Sequence, residues 1–168
     1  MLFGDQEYTP NGVYNFFLKK KGAVQEVVID DYVPILEDSK PAFACYGEEQ
    51  EVWAMLLEKA RAKLHGSYEK MLKATTTPRQ VWQELTFAPS DQIRHSNYNQ
   101  QELWGQILAA AGRHSPMCGL SNASEIVNWP TINLTPNHYY TIIDAAEIKH
   151  SMGSSFRVVK LRNAFKNE

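Results

Sequence analysis

Little in this sequence is extreme, and each thing it lacks closes off a class of function. Of its 168 residues only Cys45 and Cys118 are cysteines, too few for a disulfide framework and in keeping with a reducing compartment. Neither sign of charge prevails. Lys and Arg number 17 against 19 Asp and Glu, a net charge of -2, so nothing electrostatic recommends nucleic acid or an acidic membrane as partner. The one basic run, Lys19-Lys20-Lys21, reads as a solvated turn. No apolar stretch approaches the roughly 20 residues that a membrane helix needs, and no signal-peptide pattern opens the chain. Internal repeats, low-complexity tracts and linkers are missing too. The sequons at Asn122 and Asn133 would matter only in a secreted chain and read as chance matches. The expectation is a cytoplasmic chain of about one domain. At 43% hydrophobic and 21% charged, it is able to bury a core.

Two runs rich in β-branched and aromatic residues, 137–144 and 156–163, flank a polar loop containing Gly153. This pattern predicts a β-hairpin. A loop centred between His150 and Ser151 makes facing residue numbers sum to about 301. That register pairs His138 with Asn163, Tyr140 with Leu161, Ile142 with Val159 and Asp144 with Arg157. The intervening set joins Ile143 to Val158 and Ala145 to Phe156. A slip by one residue would undo every pair. A histidine beside an amide side chain is held in one orientation and one tautomer, as a general base requires. The alternative is a half-buried histidine that merely hydrogen-bonds.

Upstream, residues 1–11 form a polar leading segment that ends in a Pro-Asn-Gly turn. Strands are expected at 13–18 and 24–30 around a turn at 19–22, with a short third strand at 42–46. Asp30-Asp31 ahead of Pro34 reads as a tight exit with Asx-type hydrogen bonding; a metal site there is the weaker alternative. Trp53, Leu56, Leu57, Ala60 and Leu64 recur at helical spacing over 51–64. Gly66 is a natural left-handed cap, and His65 a capping or dipole-compensating residue. Residues 67–72 add about two helical turns. Thr77 with Gln80, around Pro78, and Asn99 with Glu102 read as capping boxes opening two more helices. Residues 117–121 read as a buried strand, and 122–136 as an irregular segment delivering the chain to His138. Strands, then helices, then strands argue an α+β fold rather than a parallel sheet. A metal hydrolase built on His65, His95 and His114 is a remote option, since those spacings match no ligand pattern.

Several stretches, in order, resemble the calpain family of cysteine peptidases nearly end to end. They are Gly12-Val13-Tyr14-Asn15-Phe16, Glu26-Val27-Val28-Ile29-Asp30-Asp31-Tyr32-Val33-Pro34, His138-Tyr139-Tyr140-Thr141 and Leu161-Arg162-Asn163. The most specific is the helix motif Trp53-Ala54-Met55-Leu56-Leu57-Glu58-Lys59-Ala60-Arg61-Ala62-Lys63-Leu64-His65-Gly66-Ser67-Tyr68-Glu69. The resemblance implies the second lobe of a papain-like core, an antiparallel sheet with packed helices, with 1–168 as a single catalytic subdomain. Carried over by position, His138 is the general base and Asn163 its orienter. No cofactor is expected in this chain, calcium belonging to the complete family core. The expected partners are a cysteine-bearing lobe, in cis or in trans, and protein substrates.

Three departures from the family keep a second reading open. The nucleophilic cysteine is expected upstream, outside this chain, and Cys45 and Cys118 are expected to be buried structural cysteines. Asn137 stands where the family has glycine. Ala164-Phe165-Lys166 replaces proline, tryptophan and glycine after the asparagine, with Phe165 partly substituting for the tryptophan that shields the His-Asn contact. The first reading is therefore a lobe of an intracellular cysteine endopeptidase, inactive as an isolated chain. The second is a non-catalytic calpain-like module serving a larger, cytoskeletal assembly.

Overall fold

Alternation along two strands builds the first core. In strands β1 (Val13–Lys20) and β2 (Ala23–Asp30), Phe16, Leu18, Val27 and Ile29 project to one face and are buried, as a period of two requires. The strands pair antiparallel, Val13 facing Asp30 and Lys20 facing Ala23. Lys21 and Gly22 join them, both with positive φ (52° and 84°), the two-residue turn whose twist matches that of the strands. The computed structural model describes residues 2–4, 9–47, 50–74, 77–122, 134–150 and 153–163. Contacts divide the chain into two units, Met1–Gln92 and Ile93–Glu168.

In the first unit, helix α1 (Trp53–His65) lays Leu56, Ala60 and Leu64 onto that sheet face. Trp53, expected on the same stripe, is 55% exposed. Gly66 ends the helix in the left-handed region, φ 103°, its N–H returning to Lys63 O, as the sequence led one to expect. Ser67 caps the short α2 (Tyr68–Lys73). Helix α3 (Pro78–Thr86) opens with the expected capping box between Thr77 and Gln80 and proline in its first turn. Two local expectations fail. Residues 42–46 form no third strand, 42–44 being bends; the pairing nearby is a bridge between Ile35 and Pro41. The leading segment is not simply polar surface either. Gly4 N donates to Asn15 O and Phe17 N to Leu2 O, so Leu2 and Phe3 run beside β1 and pack on its core.

The second unit pairs one helix with one sheet. Helix α4 (Gln100–Gly112) begins with the expected capping box of Asn99 and Glu102. It packs on a three-stranded antiparallel sheet ordered β3 (Met117–Leu120), β4 (Tyr139–Lys149), β5 (Ser155–Arg162). Among the described residues there are thus four α-helices and two antiparallel sheets, the α+β class expected.

The hairpin of β4 and β5 exists, but in another register. Ile142 faces Leu161, and beyond a bulge at Ile143 Asp144 faces Lys160, Ala145 faces Val159 and Glu147 faces Arg157. The symmetric loop assumed from sequence was centred too early. The strands close at Lys149 and Ser155, with His150 N on Ser154 O, Gly153 N on His150 O and Gly153 at φ 88°. The bulge then adds one further unpaired residue, which no alternation pattern announces. Arg157 consequently meets Glu147 rather than Asp144. Its guanidinium donates to Gln100 O and Gln101 Oε1 on α4 and lies 5.6 Å from the centre of the Trp104 ring. One side chain thereby fastens β5 to the helix through hydrogen bonds and a cation–π contact.

Candidate functional site

His138 and Asn163 meet despite the altered register. His138 Nε2 lies 2.9 Å from Asn163 Oδ1, and both side chains are half-buried. Continued by one pair, the ladder that sets Thr141 against Arg162 would put Tyr140, not His138, opposite Asn163. His138 reaches diagonally from two residues back on the same face, a distance that an aromatic ring spans. The amide oxygen only accepts, so Nε2 carries the proton in this bond and Nδ1 is the basic nitrogen of the neutral ring. The imidazole also meets the Tyr140 ring edge to face, centroids 4.8 Å apart and planes at 88°.

The backbone that aims His138 is shaped by Asn137, which stands where the family has glycine, and by Ser121, which sequence reasoning passed over. Asn137 has φ 53°, in the left-handed region that asparagine tolerates better than most residues. Its N–H donates to Ser121 O at 2.7 Å, while Ser121 N donates to His138 O at 2.9 Å. The Ser121 hydroxyl accepts from His138 N at 2.9 Å and donates toward Thr135 O at 2.6 Å and His138 O at 2.9 Å. Thr135 N in turn donates to the Tyr140 hydroxyl at 2.7 Å. Four residues around the histidine thus satisfy one another's polar groups. A serine 17 residues away gives no local signal of such a role; only its place one step beyond β3, opposite the residue that precedes β4, reveals it.

The two cysteines occupy quite different surroundings. Cys118 lies in β3 opposite Thr141 and is half-buried, and burial raises its thiol pKa. Thr141 and Tyr140 point to opposite faces of the sheet, so Cys118 faces away from the His138 ring. It also sits three residues from Ser121, a separation of about 10 Å along a strand. Cys45, expected to be buried, is exposed, in a stretch, 42–46, that makes no strand.

His65 does more than compensate a helix end. Its Nε2 lies 3.1 Å from Glu84 Oε1, and the other oxygen of Glu84 accepts from Arg61 Nε and Nη2 at 3.0 and 2.9 Å. All three side chains are largely covered, so the cluster ties α1 to α3. Asp30 accepts from Tyr32 N at 2.9 Å, the Asx exit expected, and pairs with Lys59. That lysine's hydrogen bond lowers the Asp30 pKa, helped by the Tyr32 N–H. Among the described residues no group of three or more His, Cys, Asp or Glu is placed to hold a metal ion. A groove of about 550 Å³ lies in the first unit between the β1–β2 turn and α3, lined by Lys19, Lys20, Lys21, Gln80, Gln83 and Phe87 among others. Phe165 lies outside the described residues.

Among the described residues no helix is long and apolar enough to cross a membrane. Comparison with known proteins agrees with the resemblance in the motifs. A calpain family cysteine protease model matches residues 2–168. The "Calpain-type cysteine protease DEK1" of Arabidopsis thaliana is 29% identical over 168 residues, covering 96% of this chain and 8% of that protein. The "Calpain-1 catalytic subunit" of Rattus norvegicus is 31% identical over 163 residues, 90% of this chain and 21% of the relative. The chain therefore spans only a minor part of the length of the curated relatives it matches. With that match running from Leu2 to Glu168, the chain belongs to the calpain family of cysteine proteases.

Proposed function

We propose that this chain is the His/Asn lobe of an intracellular, cytoplasmic calpain-type endopeptidase, with His138 as general base and Asn163 as its orienter. The observation that carries the reading is the 2.9 Å contact between His138 Nε2 and Asn163 Oδ1, which leaves Nδ1 as the proton acceptor. A cysteine thiol presented to Nδ1 would lose its proton to the ring, and the thiolate would attack the carbonyl carbon of a peptide bond. The imidazolium would return that proton to the departing amine, and water would then release the acyl group. Asn163 keeps the ring from turning while its charge changes.

The nucleophile in this reading comes from a cysteine-bearing lobe, in cis or in trans. Cys118 is unsuited to the task. It faces the other side of the sheet, and burial raises its pKa, whereas a catalytic thiol needs a lowered one. The 1–168 chain by itself is accordingly inactive, and it acts as one subdomain of a larger catalytic core. Two unpaired thiols fit a reducing, cytoplasmic setting.

The second reading, a non-catalytic module in a larger assembly, is favoured by Asn137 beside the histidine and by Ala164-Phe165-Lys166 after the asparagine. His138→Ala in a polypeptide that also carries the cysteine lobe separates the two. A loss of thiol-dependent peptidase activity of about a hundredfold or more, the contribution of a general base, supports catalysis. Intact assembly without any activity in the unsubstituted protein supports the module.

A further inference from the structure

We infer that Ser121 is a positioning residue for His138, holding the backbone turn that aims the imidazole at Asn163. The inference rests on the reading of His138 as the base, and it concerns the same site.

An ordinary antiparallel ladder would have Ser121 and His138 exchange two backbone bonds, each N–H to the other's carbonyl. Here Ser121 N donates to His138 O. The Ser121 carbonyl is taken instead by the N–H of Asn137. Two successive N–H groups of one strand therefore meet a single residue of the other, and the first of the two residues is left-handed, φ 53°. That is the form of a bulge with a left-handed first residue, a device that bends a strand and re-aims the side chain that follows. Here the side chain that follows is His138, which must lean two positions along the sheet to reach Asn163.

The Ser121 side chain takes part in the same turn. Ser121 O accepts from Asn137 N, and the N–H of His138 donates to the Ser121 hydroxyl at 2.9 Å. The same oxygen has one proton to give, and it points between Thr135 O at 2.6 Å and His138 O at 2.9 Å. One hydroxyl thus closes the turn at both ends. Alanine has neither function. Threonine keeps both, and cysteine keeps the size while weakening each bond.

The test uses the 168-residue chain and reads the His138 ring Nε2–H proton by NMR, which needs no catalysis. In the unsubstituted chain and in Ser121→Thr that proton is expected as a resolved downfield signal, protected by Asn163 and lost in Asn163→Ala. In Ser121→Ala its exchange with water should accelerate about five- to tenfold, the equilibrium equivalent of one net hydrogen bond, with the amide spectrum of β4 and β5 retained. Should the alanine variant not fold, Ser121→Cys is expected to show the same direction. Unchanged exchange in whichever variant folds would overturn the inference, as would absence of the signal from the unsubstituted chain. A shifted exchange rate alongside an inert His138→Ala comparison in the nucleophile-bearing polypeptide would leave Ser121 positioning the ring while removing its catalytic purpose.

Discussion

His138 bonds Asn163 across a hairpin whose ladder would place Tyr140, not His138, opposite that asparagine. The contact is diagonal and depends on the left-handed Asn137 and on Ser121 one strand away. A pair held this way is sensitive to backbone changes that touch neither side chain. Asn137→Gly should preserve it, since glycine adopts the same φ without strain, whereas Asn137→Val should disturb it and cost about 1–2 kcal/mol. Thermal unfolding together with the His138 ring proton signal checks both substitutions.

The thiols should react in a defined order. Cys45 is exposed and Cys118 is half-buried with a raised pKa, so at any pH below that pKa less of Cys118 is thiolate. Iodoacetamide at pH 7 to 8 should modify Cys45 first, and Cys118 should catch up only as pH rises. A Cys118 that reacts first would mark an activated thiol and reopen the question of a nucleophile within this chain. The linked stability has a definite sign: a thiol with raised folded-state pKa contributes below its unfolded value, and the contribution is lost as pH climbs through the folded one.

Glu84 should be a costly residue to truncate in the first unit. Glu84→Ala would leave Arg61 largely covered and without its carboxylate, and would remove the His65 contact. The expected loss is about 2–3 kcal/mol, read as a lower urea midpoint with an unchanged slope. Glu84→Gln should recover part of it, because an amide oxygen still accepts from the guanidinium.

Leu18→Ala should cost more, about 3 kcal/mol or above, because Leu18 is wholly buried in the core that the β1–β2 sheet forms with α1. Hydrogen exchange in α1 should accelerate with it. Protection in α1 equal to that of the parent chain would mean that the helix does not depend on this sheet face.

How far the sequence led can be judged from particular residues. Both capping boxes, the Gly66 cap and the Asx exit at Asp30 were legible, because each depends on side chains within a few positions of the backbone they satisfy. The buried stripe Leu56-Ala60-Leu64 followed from helical period alone. The hairpin was legible as a hairpin but not in register. A bulge at Ile143 and the true loop centre are decided by cross-strand packing and by Gly153, which local pattern does not weigh. Leu2 and Phe3 beside β1 were missed for the same reason: their partner is a strand edge, invisible to a window of sequence. His138 and Asn163 were singled out first from a register that proved wrong, and then from the family motif. Their contact survives through the diagonal geometry that Ser121 and Asn137 impose.

The central claim is that His138 and Asn163 act as one unit. The measurement that tests it most directly is a double-mutant cycle on kcat/KM in the polypeptide that carries both this lobe and the cysteine lobe. If Asn163 works only by orienting the imidazole, His138→Ala and the double variant should be equally impaired, with Asn163→Ala costing less than either. Independent, additive losses from the two substitutions, or activity unchanged in His138→Ala, would contradict it.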